Sequence, residues 1–449
     1  MPGSLVVSLS ALKWVYPLLQ KPATRQLALN VLLWIARLIL PVLALTVFYV
    51  CRYFGETYTD PLATSGPLNY VNGTQMLLLL AVVLGLIAAF VVNVNLTAPH
   101  RIYRERLGRT FVQKTDNDAM AVVLAEVNAT HCAPYHLINT TLNLPTSQNT
   151  KLRDRKCDFF LFSKHWSGSP LVGYFPTSIW KMNGKAVDLT TAMAISGAAA
   201  SSYMGLGSMP TLSALLTFLN VRLGFWIHRP DKMVLMEAPG FACLMREMLR
   251  LRMREEAAWL NLSDGGHIEN MAVYELLRRR AKFIICVDGE ADPAFTFGGL
   301  LTLVRHAQID LGIGIAPHVN ELRPDATTGW SQSHALFCRI DYPARGGEEA
   351  ATGLLLYLKL SVTGNESELI QRYRRVHPAF PHESTADQFF TEEQFEAYRQ
   401  LGVHVAEGLF SPALMNNEAA PNTVAGWFRR LAGNLLVPEE VARKGKNGQ

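Results

Sequence analysis

Met76–Val94, "MLLLLAVVLGLIAAFVVNV", holds 19 residues and no charged side chain. A bilayer core of about 30 Å needs roughly 20 apolar residues of helix. The spacing therefore predicts a transmembrane helix over 76–94. A second candidate precedes it. Leu27–Cys51, "LALNVLLWIARLILPVLALTVFYVC", carries one charge, Arg37, in 25 residues. An Arg at mid-bilayer costs roughly 2.5–3.5 kcal/mol on insertion scales, so Arg37 is expected to face protein and not lipid. Together the two form a predicted transmembrane hairpin within 27–98. For each, a buried core helix is the competing reading.

The flanks set the orientation. Lys13, Lys21 and Arg25 precede the first span, and Arg101, Arg104, Arg106, Arg109 and Lys114 follow the second. The connecting loop has Arg52 against Glu56 and Asp60. Excess Lys and Arg mark the cytoplasmic side. The expectation is a cytoplasmic segment at 1–26, a short outer loop, and a cytoplasmic body from 99 to 410. A tail follows at 411–449. The first apolar stretch lacks a basic leader and a small-residue cleavage site, so no cleavable signal is expected.

Composition agrees with a membrane-held protein: 49% of residues are apolar, 18% are charged, and mean hydropathy is +0.12. A net charge of only +5 without basic runs among aromatics argues against nucleic acid as a partner. Six cysteines, Cys51, Cys132, Cys157, Cys243, Cys286 and Cys338, form no CxxC pair. They read as reduced, buried thiols.

The body reads as α/β. Pro134–Leu144 and Cys157–Trp166 are rich in aromatic and β-branched residues and predict strands. Ala119–Thr130 fits either helix or strand. Thr190–Pro210 is rich in small residues and suits a tight turn and a helix start. Thr211–Ile227 is apolar nearly all round and predicts a core helix. Ala257–Ser263, a Gly265-Gly266 turn, a helix over Asn270–Arg280 and a strand over Lys282–Gly289 suggest a βαβ unit and a parallel sheet. "HALFCRIDY" and "GLLLYLKLSV" flank Gly346-Gly347 and predict an antiparallel hairpin. Near the C-terminus, Val424, Trp427, Phe428, Leu431 and Leu435 share one helical face. That helix either lies on a bilayer surface or docks on the core.

"LSDGGHIEN" (Leu262–Asn270) concentrates chemistry-bearing groups. In a parallel sheet, loops at the carboxyl ends of strands form the site. Asp264 stands at such an end, and Gly265 and Gly266 let backbone approach closely. A carboxylate there can deprotonate a nucleophile; it can equally cap the next helical turn. Asp264, His267 and Glu269 fall within six residues, but no second cluster with ligand spacing accompanies them, so no metal or other cofactor is expected. The nearest approach to a G-x-S-x-G nucleophile elbow is Ala194-Ile195-Ser196-Gly197-Ala198, with alanine at both outer positions. It makes Ser196 a candidate nucleophile and equally a small-residue packing motif, with Gly197 shaping its turn.

These stretches also carry a resemblance. "HRIYRERLGRTFV", "PYHLINTTLNL", "TTAMAISGAAASSYMG", "LSDGGHIENMAVYELLRRR" and "FPHESTADQFF" resemble blocks of the bacterial patatin-like phospholipases, a branch close to cytosolic phospholipase A2. The likeness runs from about Arg101 to Gly402, and the membrane hairpin is similar too. It implies a patatin-type acyl-hydrolase sheet with flanking helices behind a two-helix membrane hairpin. It also implies lipid acyl-ester hydrolysis by a Ser–Asp dyad without a catalytic His. Asp264 would be the acid and general base, and His267 structural. The family's Ser-Gly-Gly-Gly oxyanion segment and its G-x-S-x-G elbow lie upstream of the membrane helices, and neither occurs in this chain. The chain therefore resembles the carboxyl half of such an enzyme. Ser196 is the fallback nucleophile, or an upstream half supplies one. The implied partners are the bilayer and an acyl-ester lipid, and the implied place is the bacterial inner membrane with the body on the cytoplasmic side. The alternative is an inactive or partner-dependent membrane protein that keeps the fold as a binding or assembly module.

Overall fold

The computed structural model describes residues 45–54, 73–112, 122–127, 134–152, 154–199, 222–234, 238–384, 390–409 and 423–435, with single residues at 42, 201, 217, 220 and 421. The chain divides into two compact units, 1–268 and 269–449.

The first unit is built on a six-stranded sheet. Its strands are β1 (Leu137–Asn143), β2 (Cys157–Ser163), β3 (Trp166–Ser169), β4 (Gly173–Pro176), β7 (Phe225–His228) and β8 (Trp259–Asp264). The order is β4-β3-β2-β1-β8-β7, and every neighbouring pair is antiparallel. A two-stranded ribbon, β5 (Lys181–Met182) and β6 (Lys185–Ala186), stands apart. Side chains alternate across a strand, and β7 shows it: Phe225 and Ile227 join one core and Trp226 the other. The first core gathers Leu142, Phe160, Phe162, Leu260 and Leu262 with Trp180 and Ile195. Helices of this unit include α1 (Gly73–Val91), α2 (His100–Phe111), α3 (Leu189–Ser196) and α4 (Phe241–Leu249). Ala192 and Ile195 of α3 lie in the first core. Cys243 and Leu244 of α4 pack with Trp226 in the other.

The predicted strands at 134–144 and 157–166 form as β1 and β2, paired with each other. The segment 119–130 supplies a short 3-10 turn, Leu124–Glu126. Most of the helix expected over 211–227 lies outside the described residues; its end, Phe225–Ile227, is strand β7. Five of the six cysteines are described, and all five are free and buried.

The expected span at 27–51 falls mainly outside the described residues; 45–51 are helical. A helix does form over the other expected span. In α1, Met76, Leu79, Leu80, Val82, Val83, Leu84 and Leu86 are exposed. Among the described residues, no helix is long and apolar enough to cross a membrane. The end of the expected span belongs to the folded unit. Val94 N–H donates to Pro239 O (2.9 Å), and the buried Asn95 donates to Trp226 O (2.8 Å).

The second unit holds a four-stranded sheet of β9 (Phe283–Asp288), β10 (Gly314–Ile315), β11 (Ala335–Tyr342) and β12 (Ala351–Lys359), in the order β10-β11-β12-β9. The hairpin predicted around Gly346-Gly347 is β11–β12, antiparallel from Ala335↔Leu358 to Tyr342↔Ala351. β9 joins β12 in parallel. Among the described residues, five α-helices accompany the sheet: α5 (Tyr274–Arg278), α6 (Gly298–His306), α7 (Glu368–Val376), α8 (Glu392–Gly408) and α9 (Val424–Leu435). Phe337, Leu356, Ile370, Leu401 and Leu431 meet in its core. The C-terminal helix docks there: the Phe428 ring lies 4.7 Å from Phe283 and 5.8 Å from Phe337. Phe428 and Leu431 of its apolar face are thus buried by protein, while Val424 is exposed.

The βαβ expectation is corrected. β8 and β9 belong to different sheets, and β8 is antiparallel to both its neighbours. The connection between them, residues 265–282, is long enough for a crossover, but it holds only the five-residue α5, and β9 takes β12 as its parallel partner.

Candidate active site

The site lies within the first unit, at the end of β8. Strand alternation puts Asp264 on the face of Leu260 and Leu262, the face that α3 covers. β1 fixes this end: Thr140 pairs with Asp264 in register, and Thr141 Oγ1 donates to Asp264 O at 2.7 Å. Gly265 lies tight against the same strand. A Cβ there would stand 2.6 Å from Asn139 O, so only glycine lets the two backbones meet at this distance.

The Asp264 carboxylate has two unlike oxygens. Oδ1 accepts from Gly266 N at 2.7 Å and so caps the 3-10 turn Gly265–His267. Oδ2 has no hydrogen-bond partner among the described residues. Burial pushes the carboxyl from its ordinary 3.8 up to about 6, although the Gly266 N–H pulls it down. The group is a stronger base than an exposed carboxylate and is still mainly ionised at pH 7.

Ser196 is the last residue of α3. Its hydroxyl donates to Asn139 O at 2.8 Å, the carbonyl that Gly265 abuts. Ser196 and Asp264 thus approach one strand end, but no hydrogen bond joins them. In a nucleophile elbow the serine precedes a helix, and the next N–H points at the oxyanion. Here the serine ends a helix, where the dipole is negative. The Gly197 N–H is occupied by Met193 O (3.0 Å), and that of Ala198 by Ile195 O (3.1 Å). These donors are closed to an oxyanion.

Tyr103, on α2, completes the cluster and is marked by no motif beyond the block around it. A Cβ at Gly197 would come within 2.6 Å of its hydroxyl. Burial, and secondarily the Asp264 charge, push the Tyr103 hydroxyl above its ordinary 10. It therefore stays a donor. The helices bearing Tyr103 and Ser196 are fastened by Arg104, which donates to Thr191 Oγ1 (2.6 Å) and to Asp188 Oδ1 (3.0 Å). Asp188 also caps α3 through Thr191 N (2.8 Å).

His267 is held on both sides: Nδ1 by Ser263 Oγ (3.0 Å) and Nε2 by Ala199 O (3.2 Å). Burial lowers it to about 4, although the Ala199 carbonyl raises it, so it is neutral at pH 7. It orders the turn and touches neither Ser196 nor Asp264. Glu269 accepts from the N–H groups of Met271, Val273 and Tyr274, which makes it a backbone cap.

No family model matches this chain, and no curated protein sequence matches it. Among solved structures it is similar to human GIVD cytosolic phospholipase A2, with 13% identity and a TM-score of 0.39. The match covers 69% of this chain and 50% of that one, so the chain spans half the length of that protein.

Proposed function

We propose that the chain is a membrane-held module of a lipid acyl hydrolase of phospholipase or lysophospholipase type, in which Asp264 is the general base. One observation carries this reading. A half-buried carboxylate at a strand end, raised to about 6, keeps one oxygen without a hydrogen-bond partner among the described residues, and its charge is felt at the Tyr103 hydroxyl. A serine hydroxyl placed against that oxygen would pass its proton to it as the serine oxygen attacks an ester carbonyl. The Tyr103 hydroxyl, packed against Gly197, stays protonated and feels the same charge. The exposed apolar side chains of α1 support a bilayer beside the body, with the body on the cytoplasmic side of a bacterial inner membrane as the flanking charges suggest.

The second reading is a non-catalytic or partner-dependent module. It is favoured by the Ser196–Asn139 bond and the occupied N–H groups after Ser196. On either reading Ser196 is a packing residue, and the attacking serine belongs to residues outside those described or to a second chain.

Hydrolysis of p-nitrophenyl butyrate by membranes expressing the full chain tests the proposal. The expected result is hydrolysis that Asp264→Asn abolishes and Ser196→Ala leaves intact. Activity that survives Asp264→Asn sinks the base assignment. Fluorophosphonate labelling of Ser196 would overturn its packing role. A folded chain with no hydrolysis and no labelling leaves the binding-module reading standing.

A further inference from the structure

The second unit brings together three groups that no sequence motif links. His334 stands just before β11, Glu366 follows β12, and His404 lies on α8. One ligand atom from each falls within 4.8 Å of the others. Glu366 is buried and the two histidines are half-buried. His334 Nε2 lies 3.9 Å from Glu366 Oε1.

The surrounding hydrogen bonds prepare these groups. His334 Nδ1 meets Ser361 Oγ at 3.0 Å, and that hydroxyl reaches the carbonyls of Ser333 and Lys359 at 3.4 Å. In the tautomer that donates from Nδ1 to Oγ, with the serine proton on a carbonyl, the Nε2 lone pair is open to a cation on the Glu366 side. This outer hydrogen bond to the remote nitrogen is the usual companion of a metal-ligating histidine. Glu366 is fixed by backbone: Oε1 accepts from Thr363 N, and Oε2 from Gly364 N at 2.9 Å.

In that tautomer the interior of the cluster is rich in acceptors and poor in protons. Thr363 Oγ1 lies 3.1 Å from His334 Nε2, 2.7 Å from Asn365 Oδ1 and 3.2 Å from Glu366 Oε1. One hydroxyl proton faces three acceptors. His404 Nε2 meets the same Asn365 oxygen at 2.9 Å. The guanidinium of Arg374, which feels the Glu366 charge, lies over the Trp330 ring at 4.2 Å and donates to Gly329 O. A carboxylate and two imidazoles with ligand atoms within 4.8 Å of one another, one imidazole able to turn a lone pair inward, suit a cation at their centre.

We propose that His334, Glu366 and His404 bind a divalent transition metal of the zinc class, with Thr363 Oγ1 or a water as fourth ligand. Two imidazoles and one carboxylate suit Zn²⁺, which takes N and O ligands at about 2.0–2.2 Å in a tetrahedron. Ligand atoms on such a tetrahedron stand about 3.3 Å apart, so closure asks these side chains to draw in by roughly an ångström. The ion ties α8 to the ends of β11 and β12. This assignment is independent of Asp264 and of the reaction proposed there.

The test uses the full-length chain purified in detergent, dialysed against micromolar Zn²⁺ and then against metal-free buffer. Metal content by mass spectrometry is expected at about one equivalent per chain. His404→Gln is expected to remove it while circular dichroism stays that of the wild type. Co²⁺ in place of zinc is expected to give the intense visible bands of a tetrahedral site in wild type and none in the variant. A raised Tm with Zn²⁺ in wild type, absent in His404→Gln, would mark the clamp. Substoichiometric metal in folded wild-type protein overturns the proposal, because Asn365 then turns its amide to donate and fills the cluster without an ion. Equal metal content in wild type and in a folded His334→Gln/His404→Gln double variant overturns it too, by placing the zinc elsewhere.

Discussion

Asp264→Asn should make the first unit more stable at neutral pH while removing the proposed base. The carboxyl is raised from its ordinary 3.8 to about 6, chiefly by burial. Between those values the folded chain holds a proton that the unfolded chain has released. Stability therefore falls as pH rises from about 4 to about 6 and stays at the lower level above that. At 1.36 kcal/mol for each tenfold change in proton affinity, ionisation at pH 8 costs the fold up to about 3 kcal/mol. Asparagine is neutral and keeps an oxygen for the Gly266 N–H, so it avoids that cost. The assay is urea unfolding of wild type and variant at pH 4, 6 and 8, read by tryptophan fluorescence. The expected gain is about 1–3 kcal/mol at pH 8, shrinking toward zero at pH 4. A variant equally stable or less stable at pH 8, or a difference that does not change with pH, would refute the reasoning. A polar residue kept at a net cost to the fold is what a functional site looks like.

Two further outcomes follow from packing. Lys359 and Asp288 form a buried ion pair at 2.9 Å, with the Tyr357 hydroxyl donating to the same carboxylate oxygen. Lys359→Met should leave a buried charge unpaired and cost the second unit about 3–5 kcal/mol. Lys359→Met/Asp288→Asn should recover part of that loss in the same urea titration. Gly265→Ala brings a methyl to within 2.6 Å of the Asn139 carbonyl. It should destabilise the first unit by about 1–3 kcal/mol and, by shifting the strand end, reduce any Asp264-dependent hydrolysis.

The sequence by itself determined elements whose signal is local. Aromatic and β-branched runs made β1 and β2 readable, because a strand with a buried face needs such residues along its own length. The β11–β12 hairpin was readable because two apolar strands close on a Gly-Gly turn. Asp264 was readable as a turn carboxylate because two glycines follow it. Partners and protonation were not local. β8 and β9 read as one parallel unit because their spacing resembles a crossover, yet each pairs elsewhere: β8 with β1 and β7, and β9 with β12. The buried Asn261 and Ser263 of β8 bond to Asn143 across the sheet, a match invisible along one strand. Phe428 had two readings until Phe283 and Phe337 received it. Ser196 looked like a possible elbow from its small neighbours; only the fold put it at a helix end with its proton on Asn139. Tyr103 against Gly197, and His334, Glu366 and His404 about one shared point, are meetings of residues distant in the chain. A sequence records which groups exist and how they are spaced. Burial, which raises Asp264 to about 6, and convergence, which makes three scattered ligands one site, arise only when the chain packs.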